Sequence, residues 1–177
     1  MKTWTNEEAT HLLNLPKMLV ENDRLISRTE INPGVPFAFR HEACSQDDMA
    51  FSFLIDVKQS AKNSLKMDLH FQEQEHILHL LRVDFFGQHQ NPAALNEFVP
   101  DFIQPFVGKW FGYDDHHIHY FVQGYNPLAW AIPLTADVFP VKQVVGFESM
   151  TAAFLAFLER VNITTEVNVR QQTRLES

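Results

Sequence analysis

The sequence predicts an α+β fold, a largely antiparallel β-meander sheet with a C-terminal helix packed on one face and a short N-terminal helix. Three patterns carry that expectation. Apolar and polar residues alternate through Phe51, Phe53, Ile55 and Val57 and again through Leu65, Met67, Leu69 and Phe71, the period of half-buried strands. The stretch from His76 to Phe86 is apolar on both sides, as expected of a central strand with something covering each face. Phe147, Met150, Thr151, Phe154, Leu158 and Val161 recur at helical spacing, which gives an apolar stripe suited to lie across a sheet.

The elements can be read in order. Thr5 followed by Glu8 is a capping-box pattern that leads into Ala9, Leu12 and Leu13 before Pro16 stops the helix. Asn32-Pro33-Gly34 marks a turn, after which Val35, Phe37 and Phe39 alternate as in a strand. The polar connection from Gln59 to Ser64 is short, so the two alternating strands form an antiparallel hairpin. His117–Val122 and Leu128–Leu134, separated by a turn at Gly124-Tyr-Asn-Pro127, complete a five-stranded meander.

Between the central and His-rich strands lies an insertion, residues 91–115. Asn91 reads as a helix cap with Pro92 at the first position, and Phe98, Phe102, Phe106 and Trp110 recur every four residues despite Pro100 and Pro105. Two short helices are expected there, serving as a lid, an extra piece of core or a partner surface. Residues 1–163 are read as one domain and 164–177 as a polar, frayed tail.

Composition narrows the function classes. With 177 residues, 45% of them hydrophobic and sixteen Phe, the chain suits a single globular domain with an aromatic core. A net charge of -8 without a run of Lys and Arg argues against broad binding to nucleic acid, although a local contact to RNA stays open. The lone Cys44 rules out an internal disulfide and fits a reducing, cytoplasmic setting. Residues 1–14 lack the apolar core of a signal peptide, and the run from Ala152 to Leu158 is too short to span a bilayer. Phosphate-binding glycine loops, His-Glu-x-x-His and Gly-x-Ser-x-Gly are all missing, which lowers the expectation of nucleotide-driven phosphoryl transfer, standard zinc proteolysis and serine esterase chemistry.

The chemistry-bearing feature is the clustering of histidine: seven of nine fall between His70 and His119. His117 and His119 share one face of a strand, with Ile118 and Tyr120 on the other, and imidazoles at that spacing can converge on one ion. The same spacing also suits two solvent-facing histidines on an edge strand. A third ligand is needed, and His89 and Asp84 are the neighbours by strand order. Arg82 and Asp84 share a face as well, either as an ion pair tying the strand to its surroundings or as an anion holder beside a carboxylate that orients a histidine. His79 reads as a hydrogen-bonded core histidine, His70 and His76 as hairpin surface, and Cys44 as a plain thiol.

The succession Leu80-Leu81-Arg82-Val83-Asp84, His89-x-Asn91-Pro92, His117-x-His119-Tyr120 and Trp130-Ala131 resembles an uncharacterised bacterial domain family of unknown function over Ala50–Asn162. The resemblance implies an α+β fold and a bacterial cytosolic origin, and it matches Arg82, Asp84, His89, Asn91, His117 and His119 to the polar positions of the pattern. The chain departs where Ala93-Ala94 replaces an acidic residue and glycine.

Two functions follow as expectations. The first is a hydrolase, metal-dependent through an ion such as zinc, acting on a phosphodiester or related anionic substrate, RNA included. Here Arg82 holds the anion, His117, His119 and His89 bind the ion or share acid and base duties, and Asp84 fixes an imidazole. The second is a noncatalytic interaction or accessory protein of a mobile-element or defence system, whose aromatic insertion meets a protein partner or a second copy.

Overall fold

The computed structural model describes residues 3–170. Helix α1 (Asn6–Asn14) is capped as its sequence predicts, with the Glu8 amide donating to Thr5 Oγ1 at 3.1 Å and the Thr5 amide donating to Glu8 at 3.0 Å. There follow β1 (Met18–Glu21), β2 (Arg24–Ile26), β3 (Arg28–Ile31), β4 (Ala38–Cys44), β5 (Ser52–Gln59), β6 (Met67–Glu73), β7 (Leu78–Phe85), β8 (His89–Gln90), β9 (Trp110–Phe111), β10 (His117–Tyr120) and β11 (Trp130–Pro133). Helix α2 (Phe147–Arg160) and β12 (Glu166–Val169) close the described chain.

Eight strands make one antiparallel sheet in the order β11-β10-β7-β6-β5-β4-β1-β2. Its first five are the expected meander. The hairpin of β1 and β2 went unpredicted because its turn uses Asn22 and Asp23 rather than glycine, both at positive φ (49° and 60°), a conformation their short polar side chains tolerate. The expected strand around Val35 begins later, at Ala38, leaving Val35 exposed while Phe37 and Phe39 are buried.

The polar tail is also corrected. Glu166–Val169 pairs in parallel with Arg28–Ile31, and Arg28 meets Glu166 at 2.8 Å. Thr165 Oγ1 accepts from the Leu19 amide and donates to the Ile26 carbonyl, tying the crossing to the large sheet. A strand with alternate exposed residues and few apolar ones gives little hydrophobic signal. The rest of the expected tail, residues 171–177, lies outside the described residues.

Pleating gives the large sheet two distinct faces. Phe39, Val57, Leu69, Val83, Ile118 and Ile132 form one row of cross-strand neighbours, all buried. Helix α2 packs there, with Phe154 against Phe37 and Phe39, and Phe154 and Leu158 are buried as expected. Between the helix ends sits Lys17, fully buried, whose Nζ donates to the carbonyls of Leu13, Leu15 and Val161. An ammonium at the C-terminal ends of both helices meets their exposed carbonyls and the negative end of their dipoles.

The adjacent row runs Arg40, Asp56, His70, Arg82, His119 and Ala131 on the opposite face. Leu80 is an extra residue in β7: Phe71 pairs with Leu81 but Gln72 with His79, so this bulge returns His79 to the polar face. The 91–115 insertion contains turns and one 3-10 turn, Gln104–Phe106, instead of the two expected helices. Pro100 and Pro105 lack the amide that a helix interior needs. The four-residue series is no buried stripe either, since Phe98, Phe102 and Trp110 are exposed while Val99 and Ile103 point inward.

Candidate functional site

The polar face of β7 and β10 carries the site. Asp84 faces His117 in the cross-strand register and Arg82 faces His119, so alternation within each strand puts all four side chains on one side. Neither histidine faces solvent: both are 0% exposed, which removes the edge-strand alternative. The cover comes from the small β8–β9 ribbon, whose Phe111 ring lies 4.6 Å from that of His117 and whose His89 ring lies 4.5 Å from that of His119.

Backbone carbonyls fix both tautomers. His117 Nδ1 donates to the Asp115 carbonyl at 2.7 Å and His119 Nδ1 to the Leu128 carbonyl at 2.8 Å. With Nδ1 committed to a carbonyl, each ring turns its Nε2 toward Asp84. Asp84 Oδ2 is 3.1 Å from His119 Nε2 and 3.6 Å from His117 Nε2, and the latter nitrogen is buried with no hydrogen-bond partner. A buried carboxylate oxygen and an unpartnered imidazole nitrogen 3.6 Å apart call for a proton or a metal cation between them.

Arg82 supplies that charge on one side. Its Nε and Nη2 donate to the Asp84 carboxylate at 2.8–3.0 Å, and Nη2 also donates to His119 Nε2 at 2.9 Å. Burial raises the Asp84 pKa, but the facing His117 and His119 rings and the Arg82 guanidinium outweigh it and hold the carboxyl well below its usual value. Burial lowers His119 to about 4 against the pull of Asp84, so the ring is neutral near pH 7.

His89 stands beside this set with a different task. Its Nε2 donates to the Ala129 carbonyl and to Asn91 Oδ1, both at 3.0 Å, and burial lowers its pKa. Asn91, expected as a helix cap, is a buried clamp instead: its amide group donates to the Phe106 and Ala131 carbonyls and its oxygen accepts from the Ala131 amide. Among the described residues Asp84, His117 and His119 converge within ligand reach of one another on this buried face, and Glu73, Glu75 and His76 do so at the more exposed turn between β6 and β7. A cleft of about 330 Å³ lined by His89, Asn91 and Ala129 opens next to the clamp.

Elsewhere on the polar face His79 Nδ1 lies 2.7 Å from His70 Nε2: His79 is hydrogen-bonded as expected but half-buried rather than core, and His70 is half-buried rather than hairpin surface. Burial, then His79 and Arg82, lower His70 to about 4. His76 belongs to a turn in which the buried Glu73 accepts from the Glu75 and His76 amides, a structural use of that carboxylate. Sequence patterns gave no sign of Phe111 as a cover or of the two backbone acceptors. Gly87 was a readable hint, because a Cβ there would come 3.2 Å from that of Asp84.

The fold and site can now be set beside other proteins. No curated protein and no solved structure shows significant similarity to the chain. No helix among the described residues is long and apolar enough to cross a membrane. A model of a family of unknown function, DUF6978, matches residues 4–163, and the chain therefore belongs to that family.

Proposed function

We propose that Asp84, His117 and His119 form a divalent-metal centre, zinc being the best match, in a hydrolase for a phosphodiester or related anionic substrate. The observation that supports it is convergence: two Nε2 atoms, each ring fixed by a carbonyl behind it, meet Asp84 Oδ2 at 3.1 and 3.6 Å. Tetrahedral zinc with bonds near 2.0–2.1 Å separates neighbouring ligand atoms by about 3.3 Å, midway between those two distances. Three protein ligands leave a fourth position open, and an ion there supplies Lewis acidity and an activated water.

Arg82 is the element that must move. Its guanidinium neutralises Asp84 and donates to His119 Nε2, and its side chain, 34% exposed, has room to swing toward solvent. Released from the carboxylate, it is suited to hold an anionic substrate at the centre. His89 then borders the cleft as a neutral imidazole able to take part in proton transfer.

Isothermal titration of zinc into untagged, chelator-treated protein tests this reading, together with turnover of bis(p-nitrophenyl) phosphate. One equivalent should bind, and Asp84→Asn and His117→Gln should each weaken it at least about a hundredfold and abolish turnover. Failure to bind zinc at about 1 mM would sink the proposal. A second reading, a noncatalytic interaction protein, is favoured by the exposure of Phe98, Phe102 and Trp110 at 38%, 52% and 55%. Loss of self-association or partner capture in a Phe102→Ser, Trp110→Ser variant, with zinc binding intact, would support it.

A further inference from the structure

A second site lies on the helix side of the sheet, across it from the histidines. A cavity of about 240 Å³ is bounded by Ala9 and Leu13 of α1, Leu80 of the β7 bulge, and Phe102 and Ile103 of the insertion. Arg160, the last residue of α2, lines it together with Tyr120.

The guanidinium of Arg160 is undersupplied with acceptors. Nη2 donates to the Tyr120 hydroxyl at a long 3.3 Å, while Nε is buried with no partner. Among the described residues no carboxylate forms an ion pair with Arg160. Tyr120 OH gives its own proton to Asp137, so the hydroxyl can only accept from the arginine. A half-buried guanidinium whose Nε is buried without an acceptor, beside an apolar cavity, is stabilised when an anion completes it. The planar fork of Arg160 suits the two oxygens of a carboxylate.

We propose that this cavity binds a small monocarboxylate with an apolar body, about ten non-hydrogen atoms in all, its carboxylate on Arg160 and its body against Leu13, Leu80 and Ile103. The volume falls just below the range of drug-sized ligand pockets, which sets the size. Asp137, one hydroxyl away from the guanidinium, disfavours a dianion and selects a carboxylate over a phosphate monoester. The site stands independently of the proposed metal centre, whose ligands on β7 and β10 lie on the opposite face of the sheet.

Calorimetric titration with 3-phenylpropionate tests the proposal, with 3-phenylpropanamide as the uncharged control. A saturable Kd of about 0.1 mM is expected for a ligand of this size. The amide and the Arg160→Gln variant should each weaken binding at least about tenfold, a loss of about 1.4 kcal/mol. Thr10, exposed at the cavity rim, gives a second variant: Thr10→Trp blocks the mouth without touching the guanidinium and should also abolish binding. Because Thr10→Trp and the amide control need no change at Arg160, they decide the matter even if Arg160→Gln fails to fold. Equal affinity for acid and amide, wild-type affinity in either variant, or no saturable binding up to about 10 mM would overturn the site.

Discussion

Arg82 and His119 face each other across β7 and β10, and the arginine donates to the imidazole Nε2 at 2.9 Å while its other donors hold Asp84. The guanidinium thereby takes the place of a cation between a carboxylate and a neutral histidine. Competition between this intramolecular cation and an external one follows directly.

Arg82→Gln should therefore destabilise the metal-free protein and raise its zinc affinity. Removing the partner of a nearly buried carboxylate costs about 3 kcal/mol, reduced where the lost side chain is partly solvated. Zinc at saturating concentration should recover most of that loss, and turnover of the anionic substrate should still fall with the anion holder gone. Urea melts with and without zinc read both effects. Unchanged zinc affinity would show that Arg82 does not occupy the ion's position.

Acid sensitivity has a fixed sign. His70 and His119 fall from the ordinary 6.5 to about 4 in the folded chain, chiefly through burial. Above 6.5 neither state holds the proton and below 4 both do, so between them only the unfolded chain is protonated. Stability must drop as pH falls from 6.5 toward 4, by on the order of 2 kcal/mol for each ring. His70→Asn should flatten part of that slope in urea denaturation at pH 7 and 5. An unchanged slope would mean that His70 titrates alike in both states.

Lys17 gives the opposite window. Burial lowers its pKa from 10.5 to about 7, so between those values the unfolded chain binds a proton that the native chain lacks. Stability rises with pH across that interval. Relative to Lys17→Met, wild type should gain about 3 kcal/mol between pH 7 and pH 10, read from paired denaturation curves. At pH 6 the ammonium still serves three carbonyls that the variant leaves without donors, so the comparison must be made as a slope rather than at one pH.

The five strands of the meander and α2 were legible because each carries a strong apolar pattern: Val57, Leu69, Val83, Ile118 and Ile132 read locally as buried positions, and the register makes them cross-strand neighbours. Glu166–Val169 was not, since its order comes from hydrogen bonds to β3 and from Thr165, not from burial. Alternation also put Arg82 and Asp84 on one face, and His117 and His119 on one face. That these two faces coincide depends on the register of β7 against β10, which no local pattern encodes. The roles of Asn91 and Phe111 depend on how the insertion folds back, and its four-residue aromatic spacing pointed to helices that the prolines forbid.

Phe111 separates a cover from a piece of core. Its ring is 0% exposed, lies 4.6 Å from His117, and belongs to a two-residue strand paired only with β8. Phe111→Ala removes a full aromatic side chain from a sealed position, which costs about 3–5 kcal/mol where surroundings cannot collapse. If the ribbon acts as a cover, that loss is confined to it. Hydrogen exchange should then accelerate at residues 89–91 and 109–111 while β5 and β6 keep their protection. Modification of His117 by diethylpyrocarbonate should rise at least about tenfold, because the apolar shell over a site controls solvent access to it. Zinc affinity should change far less than in His117→Gln, since the phenyl ring holds no ligand atom. Loss of protection throughout the sheet would instead make Phe111 part of the main core, and equally fast labelling of His117 in wild type would mean that the ribbon already opens freely.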